Sequence, residues 1–385
     1  MKKTSLSLLT SFILFFPLDV FAHGEEEHAS EATINYWSYG LAISLILLII
    51  FLALYVLAKR KVGNLSLKNQ ADRQNHKSLL KRSNIYKWIT ILTGVLSIFF
   101  IIMVNVDSDN IEEKQISFQH IHGLGYTSDG EELYVPSHDG LKVYTHGSWT
   151  THTVGEKHDY MGFSMYKNGF YSSGHPAPNS DLADPLGIVK STDSGETIEI
   201  LDLYEEIDFH WMTVGYETKD IYVFNPSENS RMEQPGFYYS TDETKTWNQA
   251  ALNGIEGQAT SLAAHPTEKG TVVLGTVEGV FLSTDYGNNF EKLSLEEAVS
   301  AVSFGHESNL LVGTQTNRNL YQINISTNEV SQLTIPNLDE DFIRFVKQNP
   351  INKEELVFST DKRDIYFSND GGKTWSLSVD DGVAK

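Results

Sequence analysis

The first third of the chain alternates between uncharged apolar runs and short charged stretches. Residues 4–18 form a short apolar run after Lys2 and Lys3, and the small-residue pattern of residues 20–22 follows it. A basic start, a short apolar core and a small-residue cleavage pattern are typical of a secretory signal. We therefore predict a signal peptide over residues 1–22, with an uncleaved anchor as the alternative.

Two further uncharged runs are long enough to cross a bilayer as helices. Residues 32–58 carry no charge, and the second run, residues 88–106, has 19 residues. A helix needs about 20 apolar residues to span the hydrocarbon core. The pattern predicts transmembrane helices over residues 36–58 and 88–106, so the membrane is the first expected partner.

The charge between these two runs sets the expected topology. Residues 59–87 hold nine Lys and Arg and one acid. Basic loops stay on the cytoplasmic side, so this segment is expected to be a cytoplasmic loop. The acidic segment 23–35, which contains His23 and His28, and the domain over residues 107–385 then lie outside. This predicts a multi-pass protein of the cell membrane with a large extracytoplasmic domain.

Beyond residue 107 the pattern changes to short strand-like runs that end in turn residues. Four of these runs end in Ser-Thr-Asp or Ser-Asn-Asp, and Gly and an aromatic residue follow at fixed spacing. Ile198 replaces the aromatic residue in one copy and Thr244 replaces the glycine in another. The repeated positions are Ser191, Asp193 and Gly195; Ser240, Asp242 and Trp247; Ser283, Asp285, Gly287 and Phe290; and Ser368, Asp370, Gly372 and Trp375.

The spacing of the repeats predicts the fold class. Two eroded copies follow Gly140 and Asn319, and the six copies are then 40 to 49 residues apart. A period near 45 residues is that of one four-stranded propeller blade. The sequence therefore predicts an all-β propeller of six blades, with seven as the alternative. Residues 115–118 are expected to pair with the last blade.

The repeat resembles the Asp-box, or BNR, repeat of sialidases, sortilin-type receptors and photosystem assembly factors. Residues 116–380 also resemble a bacterial group of membrane-anchored proteins described as glycosyl-hydrolase-like or sortilin-N-terminal-like. His120-Ile-His122-Gly and His158-Asp-Tyr-Met are among the segments that carry this resemblance. The resemblance implies a structural role for the Asp-box residues, away from any active site. The hydrolase name comes from the repeat, so it implies little about activity.

Composition and charge narrow the function classes. The chain has no cysteine, which excludes disulfides and thiolate metal sites, and its net charge of −21 argues against nucleic acid as a partner. Residues 107–385 contain four arginines, and none has the sequence context of a sialidase arginine triad. A glycosidase needs two carboxylates. The candidates are three acids that lie next to or near histidines in the sequence: Asp139, Asp159 and Asp208.

The histidines are the most informative residues of the domain. Eight of the 13 fall between residues 120 and 210. Neutral imidazole is a common ligand of copper and zinc, so a divalent metal is a candidate cofactor. The alternative is a cluster that is satisfied by hydrogen bonds. The candidate ligands, expected near one end of the channel, are His120, His122, His138, His158, His175 and His210.

These observations favour a binding function over catalysis. We expect a ligand- or protein-binding module whose site lies at the histidine-rich channel mouth of blades 1–3. A protein or a glycan is the expected ligand. Glycan hydrolysis and metal homeostasis are the alternatives.

Overall fold

The computed structural model describes residues 36–65, 70–109, 115–307 and 309–385. The chain divides into two compact units, Met1–Glu113 and Lys114–Lys385. The described part of the first unit is helical, and the second unit consists of β-strands. The predicted signal peptide and the acidic segment 23–35 lie outside the described residues.

The helical unit is an antiparallel hairpin of α1 (Tyr36–Gly63) and α2 (Gln70–Asp109). Ser97 Oγ donates a hydrogen bond of 3.0 Å to Ser44 Oγ between the helices, and both side chains are buried. The close approach is set by Gly40, where a Cβ atom would collide with the ring of Phe100. By length and composition, both helices are candidate membrane spans.

The helix bounds differ from those expected in the basic segment. Residues 59–87 were expected to form a loop, but α1 continues to Gly63 and α2 already begins at Gln70. Lys, Arg and Gln are good helix formers, so a basic segment can indicate membrane topology and still be helical. The second helix is therefore 40 residues long, about twice the length that a span needs.

The second unit is a β-propeller of six antiparallel sheets, as the repeat predicted. Blades 1, 2 and 3 consist of β1 (Gly125–Tyr126), β2 (Glu132–Ser137), β3 (Gly140–Thr145) and β4 (Ser148–Thr151); β5 (Asp159–Tyr166), β6 (Gly169–His175), β7 (Ile188–Ser191) and β8 (Glu199–Asp202); and β9 (Met212–Val214), β10 (Ile221–Asn225), β11 (Gly236–Ser240) and β12 (Asn248–Gln249).

Blades 4, 5 and 6 follow the same order along the chain. They consist of β13 (Ala259–Ala264), β14 (Val272–Thr276), β15 (Gly279–Ser283) and β16 (Glu291–Lys292); β17 (Val299–Phe304), β18 (Asn309–Thr314), β19 (Leu320–Asn324) and β20 (Glu329–Leu333); and β21 (Ile343–Gln348), β22 (Leu356–Thr360), β23 (Ile365–Ser368), β24 (Ser376–Asp380) and β25 (Val383–Ala384). Only the sixth blade, among the described residues, has a fifth strand.

Strand direction separates the two ends of the channel. The first strand of each blade lines the channel, and the second strand returns antiparallel to it. First strands therefore begin, and second strands end, at one face, which we call the mouth. Third strands run parallel to the first, so the turns from third to fourth strands lie at the opposite face.

The four repeat turns share one hydrogen-bond pattern at that opposite face. Ser283 Oγ donates to Asp285 Oδ1 at 2.8 Å and accepts the Gly287 N–H at 2.9 Å. Asp285 also accepts the backbone N–H of Asn289 at 2.9 Å. The same serine and aspartate contacts recur in the turns at Ser191, Ser240 and Ser368. Thr244 takes the glycine position with a positive φ of 70°, as Gly287 does with 86°.

The aromatic residues of the repeat join neighbouring blades. Phe290 is buried, but Trp247 and Trp375 are only partly buried. Their indole N–H groups donate to the preceding blade, from Trp247 to Asp202 Oδ2 at 3.0 Å and from Trp375 to the Thr334 carbonyl at 2.8 Å. These rings therefore fasten one blade to the next.

The ring closes between blade 6 and the segment that precedes blade 1. Ser117 forms a bridge with Val383 in β25, and the Phe118 N–H donates to the Gly382 carbonyl at 2.7 Å. Phe118, which is fully buried, packs edge-on against Trp149. Residues 115–118 thus pair with the last blade, as the sequence predicted.

Candidate functional site

The first strands of the six blades surround a cavity of about 540 Å³ along the channel. His122 and His210 line it at the mouth, because both precede the first strands of their blades. Pro266, His306 and Pro350 line it beyond the other ends of first strands. The polar residues that the sequence singled out are therefore concentrated at one end.

Three of the predicted residues meet between blades 1 and 2, and we call them the first triad: His122, His138 and Asp159. His138 Nδ1 donates to Asp159 Oδ2, and His122 Nε2 lies 3.3 Å from Asp159 Oδ1. One ligand atom from each residue lies within 4.8 Å of the others. Two imidazoles and a carboxylate at this spacing form a potential metal site.

A second triad, His175, Asp208 and His210, has the same composition between blades 2 and 3. Asp208 Oδ2 lies 2.7 Å from His210 Nε2 and 3.3 Å from His175 Nε2. The other ring nitrogen of His175, Nδ1, donates to Asp184 Oδ1 at 2.6 Å. Metal-bound histidines commonly have a carboxylate on the second nitrogen, which fixes the tautomer and leaves the first nitrogen for the ion.

The two triads share one construction and stand beside each other. In each, a histidine at the end of a second strand meets an aspartate at or before the first strand of the next blade: His138 with Asp159, and His175 with Asp208. Asp159 and His175 are also direct partners in the register of β5 with β6. Residues in direct register lie about 5 Å apart at Cβ, so the triads are neighbours.

Burial and charge act differently on the two triads. Burial of His122, opposed by Asp159, lowers the pKa of this imidazole to about 4. The hydrogen bond to Asp208 raises the pKa of His210. Burial works against protonation of His175, but Asp184 and Asp208 outweigh it and raise the pKa of that ring. The first triad therefore presents a neutral His122, whereas the second holds its histidines closer to the charged form.

Several buried polar atoms of the triads lack hydrogen-bond partners among the described residues. They are His122 Nε2, Asp159 Oδ1 and Asp208 Oδ1. The 3.3 Å contact between His122 and Asp159 is close, but its geometry is not that of a hydrogen bond. Buried polar atoms in proteins normally have a partner, so these three atoms mark a place for a ligand, an ion or water.

Of the remaining candidates, His120 lies beside the first triad, whereas His158 and Asp139 belong to neither triad. His120 is exposed, and its ring centre lies 4.5 Å from that of His138. His158, the residue before β5, is buried, and its Nδ1 accepts the Ala177 N–H at 3.0 Å. Successive residues of a strand point to opposite faces, so Asp159 can face the triad only if His158 does not. The expectation that His158 converges with the others is wrong.

The third candidate acid also lies apart from the triads. Asp139 accepts a 2.7 Å hydrogen bond from the buried ammonium of Lys142. The sequence had placed Asp159 and Asp208 with Asp139 as glycosidase candidates, separate from the histidines. The structure joins Asp159 and Asp208 to those histidines. Asp184 was missed, because an acid in a loop carries no positional signal before its histidine partner is known.

Comparison with known proteins gives distant similarities. No protein-family model matches the chain. A segment of 85 residues is 35% identical to a xyloglucanase of Hypocrea jecorina (strain QM6a), which is 22% of this chain and 10% of that protein. The chain therefore spans a small part of this curated relative.

Solved structures with a similar arrangement include a GH74 enzyme of Niastella koreensis, with a TM-score of 0.49, 14% identity, and coverage of 70% of this chain and 46% of that one. YCF48 bound to D1 peptide has a TM-score of 0.43 and 16% identity over 69% of this chain and 84% of its own. YCF48 from Cyanidioschyzon merolae has a TM-score of 0.43 and 13% identity over 71% and 88%. At these identities the similarity concerns the fold alone.

Proposed function

We propose that the propeller binds divalent transition-metal ions, copper or zinc, at the two triads of the channel mouth. The observation that carries this proposal is the repeated meeting of two imidazoles and one carboxylate, with the ligand atoms of each group within 4.8 Å. The same contact between neighbouring blades builds both groups. A chance cluster of polar residues has no reason to repeat with the blades.

The state of the buried atoms favours a metal over a self-satisfied hydrogen-bond cluster. A self-satisfied cluster pairs its buried donors and acceptors. His122 Nε2, Asp159 Oδ1 and Asp208 Oδ1 lack such pairs in the described part of the chain. A cation at the first triad would receive the His122 lone pair and an Asp159 oxygen, and one at the second triad would receive an Asp208 oxygen. Imidazole nitrogens and carboxylate oxygens are ligands that copper and zinc accept.

The small number of protein ligands favours binding and transfer of metal. Structural zinc sites have four protein ligands, whereas each triad supplies three. An ion held by three protein ligands keeps a position open for water or an incoming ligand. Exposed His120 next to the first triad can approach such a position from solvent.

We place this propeller outside the membrane, anchored by α1 and α2. The two apolar helices and the nine basic residues between positions 59 and 87 support the multi-pass arrangement. The basic start and apolar run of residues 1–22 support export. The hydrogen bonds of the four repeat turns support membership of the Asp-box group, with its glycosyl-hydrolase-like and sortilin-like relatives.

Glycan hydrolysis has less support than metal binding. A glycosidase needs one carboxylate as acid and another as base or nucleophile. Asp159 and Asp208 each contact two histidines, and Asp139 is bonded to Lys142. One relative is named a xyloglucanase, and the similar structure of YCF48 contains a bound peptide. A glycan or a protein is therefore a further candidate ligand of the same mouth.

Metal titration of the full chain in detergent tests the proposal. After chelator treatment, calorimetry with Cu²⁺ or Zn²⁺ at neutral pH and elemental analysis should give up to two equivalents per chain. Asp159→Asn and Asp208→Asn should each remove one equivalent. His146→Asn is the matched control, because exposed His146 has a positive φ of 50° that Asn tolerates. Absence of stoichiometric metal in the wild-type chain contradicts the proposal.

A further inference from the structure

Blades 4, 5 and 6 each carry a bulge at the same place in the first strand. The register with the second strand shifts between Ala259 and Ser261, between Val299 and Ala301, and between Ile343 and Phe345. The extra residues are therefore Thr260, Ser300 and Arg344. Bulges re-aim side chains and are frequent beside functional sites. All three residues line the channel cavity.

The two hydroxyl groups of this set are buried and unpaired. Thr260 Oγ1 and Ser300 Oγ have no hydrogen-bond partner among the described residues. A buried hydroxyl without a hydrogen-bond partner destabilises the folded protein unless a ligand or water binds to it. The two hydroxyls can therefore form hydrogen bonds with a ligand or water inside the channel.

Arg344 differs from the other three arginines of the propeller. Arg231 donates to the Thr244 carbonyl, Arg318 to the Asp339 carbonyl and Arg363 to Asp381. Arg344 has no hydrogen bond or ion pair in the described ranges, and its guanidinium lies 5.8 Å from the centre of the Phe345 ring. Its five N–H donors are available at the cavity.

Lys347 adds a second cation to the same wall. It lies on β21, three residues after Arg344, and it lines the cavity. No carboxylate of the described part of the chain pairs with its ammonium. Burial lowers the pKa of Lys347 to about 8, so the side chain is still mainly charged at neutral pH. An ammonium that is kept in a cavity without a counter-ion favours an anionic ligand.

The charge of the cavity opposes that of the domain around it. Residues 107–385 contain 44 acids and 18 basic residues. Among the described residues that line the cavity, Glu217 is the one acid, and its carboxylate lies 3.8 Å from Lys167. The wall formed by blades 4–6 is thus a local positive region in an acidic propeller.

We propose that this wall binds a small oxyanion, a phosphate or a carboxylate group, within the channel. Arg344 and Lys347 supply the positive charge, and Thr260 and Ser300 supply hydroxyl donors. Guanidinium and ammonium groups form strong charge-assisted hydrogen bonds with such oxygens. This proposal uses different residues from the triads and does not depend on a bound metal.

Calorimetry of the chelator-treated full chain tests this site without metal. Inorganic phosphate and acetate are titrated separately, and the expected result is saturable binding of at least one of them. Arg344→Gln and Lys347→Gln should each weaken it about tenfold or more, whereas Lys347→Arg should keep most of it. Lys362→Gln is the matched control, because exposed Lys362 belongs to the same blade but lies outside the cavity.

The outcomes distinguish the source of the oxyanion and can reject the site. Preference for phosphate assigns the site to phosphate-bearing solutes, and preference for acetate assigns it to carboxylates. If Lys347→Gln does not fold, Arg344→Gln and Thr260→Val decide the question, since Arg344 is exposed and Thr260→Val keeps the shape. Absence of saturable binding of both anions, or unchanged affinity in the variants, overturns the proposal.

Discussion

Blades 1–3 and blades 4–6 are built alike but present different chemistry to the channel. Both halves have antiparallel blades with four core strands, and both contain the same serine and aspartate turn, as in blades 2 and 4. The mouth of blades 1–3 holds two triads of histidine and aspartate. The first strands of blades 4–6 instead place two hydroxyls and two cations along the cavity.

This difference shows that the residues that stabilise the propeller are distinct from those that form its candidate binding sites. The repeat turns lie at the face opposite the mouth, and the buried cores lie between sheets. The polar residues near the beginnings of first strands, such as Asp159, Thr260 and Arg344, belong to neither the turns nor the cores. They can therefore differ between blades without changing the architecture, so structural substitutions should affect both halves equally and mouth substitutions only one.

Removal of a histidine ligand at the mouth should have the strongest effect of all the substitutions. His122→Ala should weaken metal binding by the first triad at least about 100-fold, because the loss of a ligand exceeds the loss of an outer-shell partner. His306→Ala is the control, since His306 lines the cavity beyond the far end of its first strand and contacts the Asn349 carbonyl. Calorimetry with Zn²⁺ measures both. Equal effects of the two changes would contradict the assignment of the triad.

A core substitution in each half should give equal and large losses of stability. Phe170 and Phe358 lie on the second strands of blades 2 and 6, and both are fully buried. Truncation of either to alanine should lower the free energy of unfolding by about 3–5 kcal/mol. Chemical denaturation followed by tryptophan fluorescence measures the loss. A marked difference between the halves would show that one is held more loosely.

The repeat turns should give smaller and again equal losses. Ser191 and Ser283 are buried, and each accepts a backbone N–H while donating to an aspartate. Ser191→Ala and Ser283→Ala should each cost about 1–3 kcal/mol, because a buried N–H loses its acceptor. Metal and phosphate titrations serve as controls and should not change. Loss of either binding function with stability intact would contradict a structural role.

The response of these turns to acid should be weaker still. Hydrogen bonds from Thr197 lower the pKa of Asp193 to about 2, and those from Thr374 do the same for Asp370. An unfolded aspartate has a pKa of about 3.9. Their stabilising contribution is therefore complete above about pH 4 and is lost as the pH falls towards about 2.

Melting temperatures between pH 5 and pH 2 measure this response. Asp193→Asn in blade 2 and Asp370→Asn in blade 6 should each make the decrease shallower, and by similar amounts. A decrease that only one variant alters would show that the two turns are not equivalent.

The blades could be predicted because their signal is local and repeated. The turn residues indicate where a third strand ends, and β15 and β23 end at Ser283 and Ser368, the serines of their repeats. The helix bounds were less accessible, since Lys and Arg between residues 70 and 87 indicate topology and also favour helix.

The site was predictable only in part, because its contacts cross between blades. Sequence identified His138 and Asp159 separately, but their meeting depends on how one blade packs on the next. Alternation along β5 could have removed His158 from the candidates. The bulge residues left a weak signal: Thr260, Ser300 and Arg344 each lie 19 or 20 residues before the start of a repeat. Bulges are not visible in a hydrophobic pattern, so this regularity had no meaning before the register was known.

The seam that closes the ring is also the place where the chain enters it. Residues 115–118 follow the helical unit in sequence and pair with residues 382–384 through few backbone hydrogen bonds, among them Phe118 to Gly382 and Ala384 to Ile116. The second and third strands of each blade, by contrast, pair over three to six residues. Tension applied along the chain from the helices therefore loads the seam before it loads any blade. Under mechanical force, residues 115–118 should therefore separate from residues 382–384 first, while the blades are still folded.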